Sequence, residues 1–328
     1  MNEALHLGDF TSNARTGAAV PRYYGNALVA LGEKRADVVA LTGDLASATE
    51  CEGFRDRFPD RFFTPGIAEA NMIGVAAGMA RSGDMPFVHT FSVFLARRAF
   101  DQIAMQVAYP RTNVKLVGFL PGLTTLLGVS HQAIEDVAMF RALPNMTIIE
   151  PWGGRQIASA VRAAEEFDGP VYLRMHRPAA ATPEEEAVPL EIGRGQLLRD
   201  GTDAVIFAAG HMVDEALIAA GNLSEQGVAS VAVANIHTVK PLDTSFVLSL
   251  ARRTGIVLTA ENHSVIGGLG SAVAETLLEG GVPVRFARIG VADCFAEGGS
   301  KSYLFDRYGL SARHIEARCL ALLRGQTT

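Results

Sequence analysis

Short apolar runs alternate with helix-length segments along almost the whole chain, and that alternation leaves few folds open. Val38-Val39-Ala40-Leu41, Val114-Lys115-Leu116-Val117, Met146-Thr147-Ile148-Ile149 and Val171-Tyr172-Leu173 read as buried parallel strands. Between them, stretches at about 69–82, 96–108, 133–143 and 156–167 have the length and pattern of helices. Residues 179–189, with Thr182-Pro183-Glu184-Glu185-Glu186 and Pro189, have little to bury and read as a linker. Beyond it the alternation restarts. Ala204-Val205-Ile206-Phe207 is a strand, and Met212, Val213, Ala216, Leu217, Ala220 and Leu223 form one helical stripe. Strands follow at 228–233, 256–259 and 284–289, with helices near 270–278 and 312–323. Such a pattern implies parallel sheets covered on both faces. The expectation is an α/β protein of two doubly wound domains, about 1–185 and 190–328.

Composition narrows the function classes. With 29 basic and 35 acidic residues and no dense Lys/Arg block, a nucleic-acid face is not expected. No apolar run approaches the roughly 18 residues of a membrane span. The start, Met1-Asn2-Glu3-Ala4-Leu5-His6, has no signal core, and Cys51, Cys294 and Cys319 form no Cys-x-x-Cys pair. A soluble, cytoplasmic protein is expected.

Ligands of doubly wound sheets sit beyond the carboxyl ends of the strands. Gly43-Asp44-Leu45-Ala46-Ser47 follows the first strand, as a helix-capping turn or a ligand loop. Glu69, after Pro65-Gly66-Ile67-Ala68, opens a helix. It reads either as a macrodipole partner or as a carboxyl enclosed by apolar neighbours and able to hand over a proton. Phe91 and Phe94 are core aromatics or a π-face for a flat heteroaromatic ring. His131, in a glycine-rich loop, is a proton-transfer or hydroxyl-binding group, or a hydrogen-bonder at a helix start. Arg174, at a strand end, is a phosphate fork or a salt-bridge partner. No Gly-x-Gly-x-x-Gly or Walker loop occurs, and His131 has no second His or Cys at metal-ligand spacing.

Three motifs in order carry a resemblance. They are Phe62-Phe63-Thr64-Pro65-Gly66-Ile67-Ala68-Glu69-Ala70-Asn71-Met72, Thr90-Phe91-Ser92-Val93-Phe94, and Ser130-His131-Gln132-Ala133-Ile134-Glu135-Asp136 with Leu143-Pro144-Asn145. With them the chain resembles the C-terminal half of a transketolase: a pyrimidine-binding domain (1–185), then the transketolase C-terminal domain (190–328). The second domain, with Glu261-Asn262-His263 and Gly267-Gly268-Leu269-Gly270, is similar to that of 1-deoxyxylulose-5-phosphate synthase.

The resemblance implies a thiamine diphosphate enzyme whose coenzyme lies between subunits. Glu69 matches the glutamate that hydrogen-bonds the aminopyrimidine ring nitrogen and favours the tautomer able to take the thiazolium C2 proton. Phe91 and Phe94 match the aromatics packed on that ring, and Asp44 and Leu45 a loop touching the coenzyme. His131 matches a histidine that bonds donor hydroxyls or the carbonyl oxygen. Arg22, Ser47 and Arg174 match phosphate-holding positions. Arg97 sits where the synthase has a phosphate-binding arginine.

Two departures follow. The family binds Mg²⁺ and diphosphate through a Gly-Asp-Gly of its N-terminal domain, whereas this chain has only Gly8-Asp9-Phe10, Gly43-Asp44-Leu45 and Gly83-Asp84-Met85. The resemblance therefore implies a separate N-terminal subunit carrying Gly-Asp-Gly and holding the metal, in an α₂β₂ heterotetramer, with no metal ligand in this chain. Second, Thr124-Thr125-Leu126-Leu127-Gly128 is apolar where transketolases place acidic residues facing the sugar, and Phe119 stands at a usual histidine position. Donor hydroxyls left without a partner cost about 1–3 kcal/mol each. This points to a specialised or less hydroxylated ketose. The expected activity is transfer of a two-carbon ketol unit from a ketose (phosphate) to an aldose in carbohydrate metabolism. The alternatives are the β subunit of a 2-oxoacid dehydrogenase first component and a catalytically silent scaffold.

Overall fold

The computed structural model describes residues 22–177 and 189–326. The expected linker lies outside them except for Pro189, as do Gly8-Asp9-Phe10 and the first six residues. The first half runs α1 (Tyr23–Lys34), β1 (Val38–Thr42), α2 (Glu52–Arg57), β2 (Phe62–Phe63), α3 (Glu69–Arg81), β3 (Met85–Phe91), α4 (Ser92–Arg98), α5 (Phe100–Gln102), β4 (Lys115–Phe119), α6 (Asp136–Ala142), β5 (Thr147–Ile149), α7 (Gly153–Glu166) and β6 (Val171–Met175). Then come β7 (Gln196–Arg199), β8 (Ala204–Ala208), α8 (Met212–Glu225), β9 (Val231–Asn235), β10 (Thr238–Lys240), α9 (Thr244–Thr254), β11 (Ile256–Ser264), α10 (Leu269–Glu279), β12 (Arg285–Val291), α11 (Lys301–Arg307) and α12 (Ala312–Leu323).

Two sheets result, ordered β10-β5-β6-β4-β3-β1-β2 and β12-β11-β8-β9-β7. In the first, strand alternation divides the core between two faces. Val38, Ala40, Phe87 and Val171 pack with Leu28 of α1 and Ile157 and Val161 of α7. Val39, Leu41, Val88 and Tyr172 face Met72 and Ile73 of α3, Leu95 of α4 and Phe140 of α6. The second sheet repeats the scheme. Ile206 and Val233 lie under α8 and α12, and Phe207 and Ala232 under α9 and α10. Helices on both faces bury the central strands, β1, β3, β4, β6, β8 and β9, along their whole length, which is why most read as apolar runs.

The structure departs from the sequence reading at edges and breaks. β10 pairs antiparallel with β5, and β7 antiparallel with β9. β10 belongs to the second half of the chain yet extends the first sheet, Thr238 standing opposite Ile149. The helix expected at 96–108 is interrupted: α4 stops at Arg98, and a π-helical turn over Ile103–Ala108 follows α5. The helix expected at 133–143 starts only at Asp136. The strand expected from 228 starts at Val231, because Gly227 (φ 67°) reverses the chain and leaves Val228 exposed. α9 is bounded by local chemistry: the Asp243 carboxylate accepts from the Phe246 N–H at 3.0 Å, and Gly255 in the left-handed region ends it.

Candidate active site

The carboxyl ends of parallel strands carry most of the predicted residues. Glu69 is the first residue of α3, where the helix dipole favours a carboxylate, and is only 5% exposed. Phe91 ends β3 and Phe94 lies one helical turn into α4; their ring centroids are 5.6 Å apart. The His131 ring meets both edge-on, at 5.9 Å from Phe91 and 5.3 Å from Phe94. Burial, and then the Arg98 charge, hold that imidazole below its usual pKa, so at pH 7 it is neutral and can both donate and accept. Ser130 Oγ lies 2.9 Å from its Nδ1.

Arg98 joins this group and was not anticipated. Its Nη1 donates to Glu69 Oε1 at 2.8 Å, while its guanidinium stacks 3.7 Å over the Phe94 ring. Helical spacing alone cannot say which of two adjacent, exposed arginines turns toward Glu69. Arg97 turns the other way, donating to Glu135, to Val129 O at 3.0 Å and to Gln132 O at 3.2 Å. It fastens the His131 loop to α4, and its three nitrogens all have protein acceptors.

A second group lies beyond β1 and β6. Asp44 takes a left-handed turn (φ 63°) and is exposed, and Gly43 packs beside Gly66 and Ile67. Leu45 packs on the cluster that includes Phe91 and Phe94. Ser47 is exposed. Arg22 pairs with Glu52. Arg177, two residues beyond β6, donates to Ala48 O at 2.6 Å and lies 3.7 Å from Glu50. The Nε that faces Glu50 is buried and makes no hydrogen bond. Burial lowers the pKa of Arg177, only partly offset by Glu50, and burial raises that of Glu50. Arg22 and Arg177 lie close enough to repel one another beside the 47–48 turn, each paired with a carboxylate, Glu52 and Glu50.

Arg174 corrects an expectation. It is fully buried, and its guanidinium donates to Asp136 (2.8 and 3.1 Å), Glu150 (2.8 Å), Ala133 O (3.3 Å) and Asn262 O (3.0 Å). With all three nitrogens committed inside the core, it has no face left for a phosphate. An arginine within an all-buried strand must find its counter-charges in the core. Arg177, past the strand end, is the one that reaches the rim. Phe119 is likewise core, 5.4 Å from Tyr24. Lys115, pushed down to about 7 by burial, sits at the amino end of β4, opposite the site, and bonds three protein oxygens. It is a structural staple.

Two α/β layers with an acid, an aromatic pair and a histidine at the strand ends define a class, and sequence comparison makes the membership plain. The chain belongs to the transketolase family: residues 17–182 match the transketolase pyrimidine-binding domain and residues 193–315 the transketolase C-terminal domain. It is 46% identical over 293 residues to a 6-deoxy-6-sulfo-D-fructose transketolase subunit of Clostridium sp. (strain MSTE9), covering 89% of this chain and 90% of that one. A putative transketolase C-terminal section of Methanocaldococcus jannaschii is 41% identical, covering 90% of this chain and 94% of its own. The 1-deoxy-D-xylulose-5-phosphate synthase of Syntrophotalea carbinolica is 38% identical over 94% of this chain, which spans 49% of that enzyme's length. Among solved structures, a split-gene transketolase in the form of an inactive beta4 tetramer superposes with a TM-score of 0.85 at 42% identity, covering 95% of this chain and 100% of that one. Among the described residues no helix is long and apolar enough to cross a membrane, and no group of three or more His, Cys, Asp or Glu could hold a metal ion.

Proposed function

We propose that this chain is the C-terminal subunit of a two-chain, thiamine-diphosphate-dependent transketolase that moves a two-carbon ketol unit from a ketose to an aldose in the cytoplasm. The carrying observation is Glu69, a nearly enclosed carboxyl at a helix start, joined through Arg98 to a tilted pair of aromatics that a histidine meets edge-on. These residues fit the aminopyrimidine end of the coenzyme: an apolar slab for a flat ring, and an acid to share a proton with a ring nitrogen. When bound, the coenzyme supplies a nucleophilic carbon for cleaving the bond beside a ketose carbonyl. Glu69 holds the proton at the ring nitrogen. Phe91 and Phe94 exclude water, Leu45 extends that apolar wall and Asp44 lines its rim. His131 bonds the donor's oxygen.

The sequence has Gly43-Asp44-Leu45 and Gly83-Asp84-Met85 but no Gly-Asp-Gly, the motif through which the family holds diphosphate and Mg²⁺. The reading therefore includes an N-terminal subunit carrying Gly-Asp-Gly, in an α₂β₂ assembly built on two domains divided near 185–190. That a solved relative is an inactive beta4 tetramer supports inactivity of this chain alone. Arg22, Ser47 and Arg177 receive the anionic end of the sugar, and Arg97 acts on it through the His131 loop. The apolar 124–128 stretch and the sulfosugar relative favour a specialised ketose whose far end is a phosphate or a sulfonate.

Mixing this chain with its partner, thiamine diphosphate and Mg²⁺ is expected to give ketol transfer that neither chain gives alone. Decarboxylation of 2-oxoacids without ketol transfer would overturn the reading. Arg177→Met is expected to raise KM for an anionic donor about 10- to 100-fold, the worth of a charge-assisted hydrogen bond, with little change in kcat. An unchanged KM removes Arg177 from that role.

A further inference from the structure

Besides its fastening to α4 by Arg97, the His131 loop is held at its neck by the other domain. It leaves β4 through two left-handed residues, Leu120 (φ 55°) and Gly122 (φ 61°), and is pinched where the Gly122 N–H donates to Ala133 O at 2.7 Å. The carboxyl end of β11, in the second sheet, holds that neck and the first turn of α6 with three successive residues. Asn262 Oδ1 accepts from the Leu123 N–H at 2.9 Å, and its Nδ2 donates to Pro121 O at 3.3 Å. His263 Nε2 accepts from the Ala138 N–H at 3.3 Å, and the Ser264 N–H donates to Ile134 O at 2.7 Å. Asn262 is 2% exposed, and a Cβ on Gly122 would come within 2.3 Å of its side chain.

We propose that Asn262 is a positioning residue for His131, the C-terminal sheet serving as the template on which the substrate-facing loop is set. Its amide spends both its oxygen and its nitrogen on the backbone of one loop neck in the first domain. A side chain that both accepts from and donates to the same neck fixes the neck's position and its rotation, which a single contact cannot do. His131 then meets Phe91 and Phe94 at a set angle without any bond from Asn262 to the ring itself. The kinetic part of this proposal rests on the ketol-transfer reading; the tether does not.

The test uses the assembled two-chain enzyme with Asn262→Ala, Asn262→Asp and, as a control, Arg141→Ala. Arg141 bonds Gly267 O at 2.6 Å and Gly268 O at 3.2 Å, so it joins the domains away from the neck. Asn262→Ala is expected to speed amide exchange across residues 120–135 by about tenfold or more and to raise KM for the ketose donor by a similar factor. Coenzyme affinity should stay within about twofold of wild type, the Glu69 side of the site being untouched. Asn262→Asp keeps the acceptor for Leu123 and should fall between, and it serves if the alanine variant does not fold. Arg141→Ala should leave both loop exchange and KM near wild type. Wild-type exchange of the loop in the Asn262 variants, or an equal rise in KM in Arg141→Ala, overturns the proposal. Faster loop exchange in an assembly that transfers no ketol unit upholds the tether and fails the functional reading instead.

Discussion

Glu69→Gln is expected to slow exchange of the coenzyme's C2 proton in the assembled enzyme by about 10²- to 10⁴-fold, the usual worth of a positioned acid–base group. Glutamine keeps the volume and a hydrogen-bonding oxygen but cannot hand over a proton. Assembly, read by sedimentation, should be unchanged, because the substitution touches one half-turn of α3 and one partner, Arg98. Proton exchange by NMR separates this effect from substrate binding. Exchange at the wild-type rate in the Gln variant would end the assignment of Glu69. Arg98→Leu is the companion experiment. It frees Glu69 and uncovers the Phe94 ring, so it should not reproduce the Gln defect.

Arg174→Met is expected to destabilise the fold by about 3–5 kcal/mol, since breaking a buried pair leaves uncompensated charge. Asp136 is fully buried, takes two guanidinium bonds and also accepts from the Tyr172 hydroxyl at 2.6 Å. Burial works against its charged form, but Arg174 outweighs that and holds the carboxyl below its usual pKa. Glu150 has one guanidinium bond, and burial keeps it above its usual value. The sign of the pH dependence follows from Asp136. A depressed folded pKa adds stability above the unfolded value, near 3.8, and that stability is lost as pH falls through the folded value. The gap between wild type and Arg174→Met in denaturant unfolding should therefore be wide at pH 7 and narrow toward pH 3. A variant as stable as wild type at pH 7, but with weakened binding of anionic donors only, would return Arg174 to the phosphate role.

What was legible in the chain is what burial writes directly. Strands covered on both faces are mostly apolar, so β1, β4, β6 and β8 stand out as runs despite Lys115 and Arg174, and the sites at their carboxyl ends follow from topology. Of the edge strands, β12 was legible at 284–289 but two others were not. β7 (Gln196–Arg199) and β10 (Thr238–Lys240) each pair on one side only and carry polar residues, so no run marks them. Glu69, Phe91, Phe94 and His131 were each ambiguous alone, and the structure brings them together through elements far apart in sequence. The arginines were not legible. Arg97 and Arg98 are neighbours with opposite directions, and Arg174 and Arg177 differ only in lying before or after a strand end. Asn262 looked like part of a motif of its own domain. Its partners, Pro121 and Leu123, are reached only across a domain boundary.

The antiparallel pairing of β10 with β5 means that the two halves of this polypeptide share one hydrogen-bonded seam. Loss of residues 189–328 would leave the β5 rim without its cover, an open template for sticking to other chains. Covering that rim makes the C-terminal half part of the first sheet's own edge protection.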